Sequence, residues 1–475
     1  MNVPYYGDDQ PIAAPATPLS ESALTLIRTS GKNAPNLVAP FFSRPALLRE
    51  APGNTVIHGW IVDGEERLDE ALVSVFRAPR SYTGEDALDI SCHGGGAAAR
   101  AVMGVLKKAG FRDALPGEFT FRAFMNGKLD LTRAESVMEL VTAKTGQGRR
   151  GAVNRLSGSL EEEIRNIKAG LVTVLAAVEL FLDYSEDEAG ETPPDAAVFP
   201  ERARVEEALT RLRGLAASYS RERLYHDGAL VVIAGRPNAG KSSLFNVLLR
   251  EDRSIVTDIP GATRDWVEGW IALEGIPVRL ADTAGLHATD DPVERLSMER
   301  SRNLVRQSDL LLYILDGTAG LTPEDAALLR EFSGVSRILV WNKADLAASD
   351  SVDREPPLRT SAKTGQGIGE LSSRIAAALE CGATERGAAE RGAFRGGANE
   401  TAGTSSRGIG TARQKELVDR AITSLEEALE MDPESALDLI APLLREGVDA
   451  LGEITGEVST ADILETMFSC FCVGK

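Results

Sequence analysis

The residues with the plainest chemistry lie at positions 235–242. Gly235-Arg236-Pro237-Asn238-Ala239-Gly240-Lys241-Ser242 has the spacing G-x-x-x-x-G-K-[ST] and follows the apolar run Ala229-Leu230-Val231-Val232-Ile233-Ala234. Glycines at those positions let backbone N–H groups surround phosphate oxygens. Lys241 then reaches the terminal phosphates, and the Ser242 hydroxyl can ligate Mg²⁺. Ser243 opens the helix-forming run that should follow. Asp282-Thr283-Ala284-Gly285 closes a second apolar run, Val278 to Ala281, with a carboxylate suited to the Mg²⁺ shell and a glycine able to move toward a γ-phosphate. Asn342-Lys343-Ala344-Asp345 follows a run ending at Trp341. An aspartate there accepts both hydrogen bonds of the guanine amino edge, which adenine lacks. Ser361-Ala362-Lys363 adds backbone support for the guanine oxygen. Each short motif alone is weak; in this order, each after a strand, they imply a unit that binds and hydrolyses GTP.

The group that orients the attacking water is less plain. Many such enzymes carry glutamine directly after the glycine of D-T-A-G, and here that position is Leu286. An apolar side chain cannot polarise water, so another residue must serve. Glu294, in Asp290-Asp291-Pro292-Val293-Glu294-Arg295, is the candidate, and the competing reading is a solvated acid at a helix start.

These motifs need elements to hold them. Four apolar runs, Ala229 to Ala234, Val278 to Ala281, Leu310 to Leu315 and Ile338 to Trp341, alternate with helical segments, the pattern of a doubly wound, mostly parallel sheet. Upstream, Ala23 to Ile27, Thr55 to Val62, Ala71 to Arg77 and Ala87 to Cys92 read as strands, and Ala97 to Ala109 as a helix stopped by Gly110. That is an α+β domain over residues 1–130. Residues 131–224 have helical periodicity, with Leu160, Ile164, Ile167, Leu171, Val174, Leu175, Val178 and Leu182 on one stripe and a second helix over Glu201 to Leu224. The GTP unit spans 225–380, a Gly/Ala/Glu/Arg-rich flexible linker 381–410, and amphipathic helices 411–475. Helices on both sides of the α/β unit predict one discontinuous all-helical domain with that unit inserted. The fold class is therefore multidomain, α/β plus α+β.

Composition narrows the function. The chain has 475 residues, 43% apolar and 26% charged, as ordinary globular proteins have. Its net charge, 52 − 71 = −19, repels phosphate backbones at long range and argues against nonspecific nucleic-acid binding. No apolar run has the length of a membrane span, and MNVPYYGDDQ lacks the basic-then-apolar order of a secretory leader. Cys92, Cys381, Cys470 and Cys472 show neither disulfide nor zinc spacing, so a reducing cytoplasm is expected.

Longer strings carry a resemblance. Tyr82-Thr83-Gly84-Glu85-Asp86, Ser91-Cys92-His93-Gly94-Gly95, Pro116-Gly117-Glu118-Phe119-Thr120, the run Arg122 to Leu131, Gly261-Ala262-Thr263-Arg264-Asp265 and the terminal Phe471-Cys472-Val473-Gly474-Lys475 together resemble the MnmE/TrmE family, over nearly the full length. The resemblance implies a tetrahydrofolate-binding N-terminal domain that also dimerises, a discontinuous helical domain, and an inserted Ras-like G domain with K⁺-stimulated GTPase activity. It implies a homodimer that joins an FAD-dependent MnmG (GidA) subunit in a heterotetramer and modifies the wobble uridine of certain tRNAs. The one-carbon unit would come from 5,10-methylene-tetrahydrofolate, with 5-formyl-tetrahydrofolate as a related ligand, and no membrane is involved.

Residue by residue, the family pattern sets Asn238, Thr257, Ile259 and Ala262 around K⁺ and Ser242 with Thr263 on Mg²⁺. It includes Asp258, Pro260 and Gly261 in the GTP-binding switch. Glu294 falls where the family positions its water-orienting acid, acting with Lys241 and Asn238 in the chemical step. Arg28, Glu85, Lys128 and Lys475 match folate-contacting positions, and Cys472 matches a family cysteine. Other readings are a sheet-edge charge for Arg28, a turn lysine for Lys128, a turn-packing role for His93 and a prenylation site for Cys472. The sequence departs from the pattern at Leu19-Ser20-Glu21-Ser22, where a Gly-rich stretch is usual, at Ala262, which replaces a hydroxyl residue, and at His287. The alternative function is a GTP-dependent ribosome-assembly or RNA-binding switch, which shares the G-domain motifs but not the terminal strings.

Overall fold

The computed structural model describes residues 6, 8–187, 201–251, 266–283, 292–346, 358–389, 408–431, 433–458 and 461–474. The chain divides into two units, Met1–Met138 with Gly452–Lys475, and Glu139–Leu451.

The first unit is built on a six-stranded sheet of β1 (Ile12–Pro15), β2 (Leu24–Ser30), β3 (Thr55–Asp63), β4 (Glu66–Phe76), β5 (Ala87–His93) and β6 (Arg112–Asp113), in the order β3-β4-β5-β2-β1-β6. All neighbours are antiparallel except β1 and β6. Alternation decides the faces. Ala71, Val73 and Val75 are buried while Leu72 between them is 48% exposed, so one face packs and the other does not. The packed face meets α1 (Ala34–Val38), α2 (Pro45–Glu50) and α3 (Gly96–Lys108) through Val38, Leu48, Val102 and Leu106. Helix α3 ends with Lys107 and Lys108 against its dipole and with Gly110 at φ 98°, the stop its sequence predicts. Helices α4 (Glu118–Met125) and α5 (Leu131–Thr142) follow.

The C-terminal segment is divided between the units: residues from Gly452 onward group with the first unit. The physical reason is aromatic. Phe468, in the C-terminal helix Ala461–Ser469, sits edge-on to Phe121 at 5.5 Å between ring centres and beside Phe471 at 5.2 Å, with Tyr6 against Phe121. Gly117, at φ 68°, lets the backbones meet: its N–H donates to Cys472 O (3.3 Å), and a Cβ there would lie 2.7 Å from Phe468 O.

The second unit begins with α6 (Gly146–Leu156), α7 (Ser159–Asp187) and α8 (Arg202–Asp227). Six of the eight predicted stripe residues on α7, Leu160, Ile164, Ile167, Leu171, Val174 and Val178, are at most 2% exposed, while Leu175 and Leu182 are half-buried. Then comes the α/β unit, with β7 (Ala229–Gly235), β8 (Trp266–Leu273), β9 (Ile276–Thr283), β10 (Leu310–Asp316), β11 (Arg337–Asn342) and β12 (Leu358–Arg359) in the order β12-β11-β10-β7-β9-β8. Pairing is parallel except for the edge strand β8. The continuous apolar runs have a two-sided cause. Val231, Ile233, Leu310, Leu312 and Ile314 face α9 (Lys241–Glu251) and α12 (Ile368–Ala389), whereas Val232, Ala234, Leu311, Tyr313 and Leu315 face α10 (Pro292–Gln307) and α11 (Pro323–Glu331). Helix α12 runs through Ala389, into the segment expected as linker from 381, and residues 390–407 lie outside the described residues. Where description resumes, Ile409 is fully buried, and α13 (Ala412–Glu430) and α14 (Pro433–Thr455) complete the unit.

A buried ion cluster ties the insertion together. Arg155 of α6 is 2% exposed and donates to Glu139 Oε2 and Glu222 Oε2, both at 2.8 Å, and to Gly408 O at 3.3 Å.

In the first unit, Phe468→Ala should destabilise the fold by about 3–5 kcal/mol, and hydrogen exchange over the C-terminal helix should rise sharply in urea. An unchanged urea midpoint would show that the aromatic cluster contributes little.

Candidate functional site

The phosphate loop links β7 to α9. Gly235 has φ 146° and a Cβ on it would lie 2.3 Å from Ile314 O; Gly240 has φ 93° and a Cβ there would lie 2.1 Å from Asn342 Nδ2. Both positions therefore demand glycine. Asn238 is also left-handed, at φ 62°, and exposed on the loop's flank. Ala239 is buried, whereas Ser242 and Ser243 at the start of α9 are exposed.

Lys241 Nζ curls back to donate to Gly235 O and Arg236 O, each at 3.0 Å. Burial lowers its pKa, partly opposed by Asp282. Asp282, at the end of β9, accepts the Ser242 hydroxyl on Oδ2 at 2.7 Å, and burial raises its pKa. Its other oxygen, Oδ1, is buried with no hydrogen-bond partner. A desolvated ammonium and a desolvated carboxylate in one site gain from an anion beside the first and a cation beside the second. The orphaned Oδ1 beside the oxygen of the Ser242 hydroxyl is thus a fitting donor set for Mg²⁺, a hard, oxygen-seeking ion. Thr283 plays a different part: it is buried and donates to Ile233 O at 3.0 Å, which locks the end of β9 to β7.

The base-recognition loops meet on Asn342. It is 2% exposed, donates from Nδ2 to Ala239 O at 2.9 Å and accepts Ala362 N–H on Oδ1 at 3.0 Å. Lys343, at φ 65°, pairs with Asp316 at 2.7 Å. Asp345 is exposed, and the Ser361 hydroxyl donated to its Oδ1 at 2.7 Å holds its pKa down. Lys363 is exposed beside them. Asp316 escaped the sequence reading; its signal was an acid at the end of the apolar run Leu310 to Leu315, facing a lysine in the next loop. Thr257, Asp258, Ile259, Pro260, Gly261, Ala262, Thr263, Ala284, Gly285, Leu286 and His287 lie outside the described residues, and Glu294 falls in the first turn of α10.

The first unit holds the other candidates. Arg28 sits on β2, between β5 and β1, so it is not a sheet-edge charge. It pairs with Asp89 (3.2 Å), donates to Gly474 O (3.4 Å) and lies within 6.0 Å of the ring centres of Tyr82 and Phe119. Gly474 has φ 93°, and a Cβ there would lie 2.7 Å from Pro15 O, so the tail approaches β1 closely. Lys475 is outside the described residues, one position beyond. Glu85 accepts Ser30 Oγ at 2.6 Å and Arg122 Nη1 at 3.1 Å on Oε2. Lys128 is exposed and donates to Pro79 O at 3.0 Å, on the loop that leads to Glu85. The structure thus brings Arg28 to the tail and sets Glu85 and Lys128 against one loop. Cys472 is exposed, with its carbonyl taken by Gly117. His93 packs nothing: its ring is 65% exposed and held by Asp69 at 2.6 Å, a bond that raises its pKa, and it is Gly94 that fits closely, against Ser22. Sequence reasoning missed Arg122, a buried cation inside an otherwise helical string.

A family model described as the MnmE helical domain matches residues 131–472, and one described as the N-terminus of GTP-binding protein TrmE matches residues 11–128. A tRNA modification GTPase MnmE of Treponema denticola is 41% identical, with 100% of each chain covered. Proteins of the same name are 38% identical in Carboxydothermus hydrogenoformans, over 98% of this chain and 99% of that one, and 38% identical in Treponema pallidum, over 100% of both. Matched over 98–100% of its length by such relatives and by both family models, the chain belongs to the MnmE/TrmE family of tRNA modification GTPases.

Proposed function

We propose that the chain couples GTP hydrolysis to formation of a 5-carboxymethylaminomethyl or aminomethyl group on the wobble uridine of certain tRNAs. In this reading it is a cytoplasmic homodimer that forms a heterotetramer with an FAD-dependent MnmG subunit. A 5,10-methylene-tetrahydrofolate held in the first unit supplies the one-carbon group. The observation that supports the reading is the bond from Arg28 to Gly474 O, which ties the N-terminal sheet to the C-terminal tail outside the GTP unit. A plain GTP-dependent switch has no use for that arrangement. Among the described residues no helix is long and apolar enough to cross a membrane. The net charge of −19 leaves much of the tRNA-binding surface to the partner.

In the GTP unit, Lys241 exchanges its two carbonyl partners for phosphate oxygens, which restores full solvation to a buried ammonium. Ser242 and Asp282, joined by Thr263, would hold Mg²⁺, which would supply positive charge beside the phosphates. Asn238, with Thr257, Ile259 and Ala262, would hold K⁺, which would supply the charge that an arginine finger gives elsewhere. Asp345 reads the guanine amino edge, with the loop Ser361-Ala362-Lys363 as backbone support for the guanine oxygen. Glu294 orients the attacking water. In the first unit Arg28, Lys128 and Lys475 suit the anionic glutamate tail of a folate, and Glu85 suits the amino edge of its pterin ring.

The whole reading is tested by nucleoside mass spectrometry of tRNA from a strain lacking the gene. Loss of the modified wobble uridine is expected, and an unaltered nucleoside profile would reject it. GTP hydrolysis should run faster in K⁺ than in Na⁺ at equal ionic strength; equal rates would remove the K⁺ assignment. Glu294→Ala should lower kcat by roughly 10²–10³-fold with little change in nucleotide affinity. A loss of affinity at unchanged kcat would instead make Glu294 a binding or folding residue.

A further inference from the structure

We infer that Arg122 is the positioning residue of the ligand site in the first unit: it fixes which oxygen of Glu85 faces the ligand and so sets the preference for a ring edge that carries an amino group. The inference rests on the folate reading above and deepens it.

The argument starts from the guanidinium. Arg122, on α4, is 5% exposed, and its nitrogens are distributed over two sides. Nη2 donates to Gln10 O at 2.7 Å, Asp8 O at 3.1 Å and Glu118 Oε1 at 2.9 Å, and Nε also reaches Glu118 Oε1 at 3.3 Å. Glu118 is fully buried and shared with Arg112, whose two terminal nitrogens reach it at 2.6 and 2.7 Å. This side is an anchor: it cannot rotate without giving up its bonds to two backbone carbonyls and to the buried Glu118 carboxylate at once. The remaining nitrogen, Nη1, faces Glu85.

On Glu85 the two oxygens are then unequal. Oε2 takes the Arg122 bond at 3.1 Å and the Ser30 hydroxyl at 2.6 Å. Oε1 has a single long contact to Arg122 at 3.4 Å, and the side chain is 26% exposed. One oxygen is saturated and inward; the other keeps lone pairs for an N–H donor from outside. Ser30 is also engaged with Thr83 at 2.6 Å, and Thr83 in turn accepts the Glu85 N–H at 3.3 Å, so the carboxylate and its loop are tied at several points. Of these ties only Arg122 brings a charge and a rigid fork. A lysine in its place keeps the charge but cannot serve the anchor and Glu85 in one plane.

The experiment is calorimetry on the full-length chain with two probes, 5-formyltetrahydrofolate and its analogue with hydrogen in place of the 2-amino group. The wild-type chain should favour the first by about 10–100-fold, the scale of a hydrogen bond to a charged group. Arg122→Lys should bring that ratio close to one, and Arg122→Lys with Glu85→Gln should bind no more weakly than Glu85→Gln alone. An unchanged urea midpoint of the first unit in Arg122→Lys, followed by hydrogen exchange over α4 and the C-terminal helix, reports that this unit is folded. Equal weakening of both probes with the ratio preserved would make Arg122 merely structural and overturn the inference while leaving the folate reading standing. No binding of 5-formyltetrahydrofolate to the wild-type chain would overturn both. If Arg122→Lys does not fold, Ser30→Ala decides: it should keep the preference, because Arg122 still holds Oε2, and loss of the preference would move the positioning role to Ser30 and overturn the inference.

Discussion

The side-chain amide of Asn342 is the constraint on which the GTP unit depends. It is buried at the end of β11 and has no water to fall back on, so each of its bonds must be made within the protein. One end holds the phosphate loop at Ala239, and the other holds the loop carrying Ser361 and Ala362. Losing either partner would strand a buried polar group at about 1–3 kcal/mol. The same amide explains the second glycine of the phosphate loop, because it occupies the space a Cβ at Gly240 would need. The phosphate loop and the loop carrying Ser361 and Ala362 are thereby fixed relative to each other by one residue.

Around that brace the site is electrostatically unfinished. Lys241 and Asp282 are both partly desolvated, and both pKa values move toward the neutral form because burial dominates. Asp345, by contrast, lies in solvent with its charge stabilised by a neighbouring hydroxyl. The phosphate end therefore gains most from charged ligands, and the base end works by hydrogen-bond pattern.

How much of this was legible in the sequence follows from which interactions are local. The strands of the GTP unit could be read because burial on both faces forces continuous apolar runs, and β7 and β10 carry them. The edge strand β8 was not read: Glu268 and Gly269 interrupt its apolar residues, and its order comes from antiparallel pairing with β9. Asn342, Lys241 and Asp282 were legible because their spacing from a strand end is fixed. Arg122 and the docking of Phe468 were not, since each depends on partners about a hundred or several hundred residues away in sequence, at Gln10 for the first and Phe121 for the second. The resemblance to a family reached the C-terminal signature, but the string itself carries no sign of which unit would receive it.

The insertion of an α/β unit into a helical one raises a physical problem that Arg155 answers. A chain that leaves a helical bundle at α8 and returns more than 180 residues later at α13 must close a long loop, and the closure entropy has to be met where the two strands of chain pass each other. Arg155 lies at that passage. It joins Glu139 on α5, Glu222 near the end of the departing α8 and the carbonyl of Gly408 on the returning segment, all at 2.8–3.3 Å. Gly410 continues the contact, since a Cβ there would lie 2.1 Å from Glu139 Oε1. Two carboxylates around one guanidinium would be costly to bury if any were unpaired, so the cluster forms only when departure and return are both in place. Tyr225 adds a second tie from α8, donating to Glu380 on α12. The joint therefore specifies the bundle's register as much as its stability, and it does so with polar groups that an apolar seam could not replace in directionality.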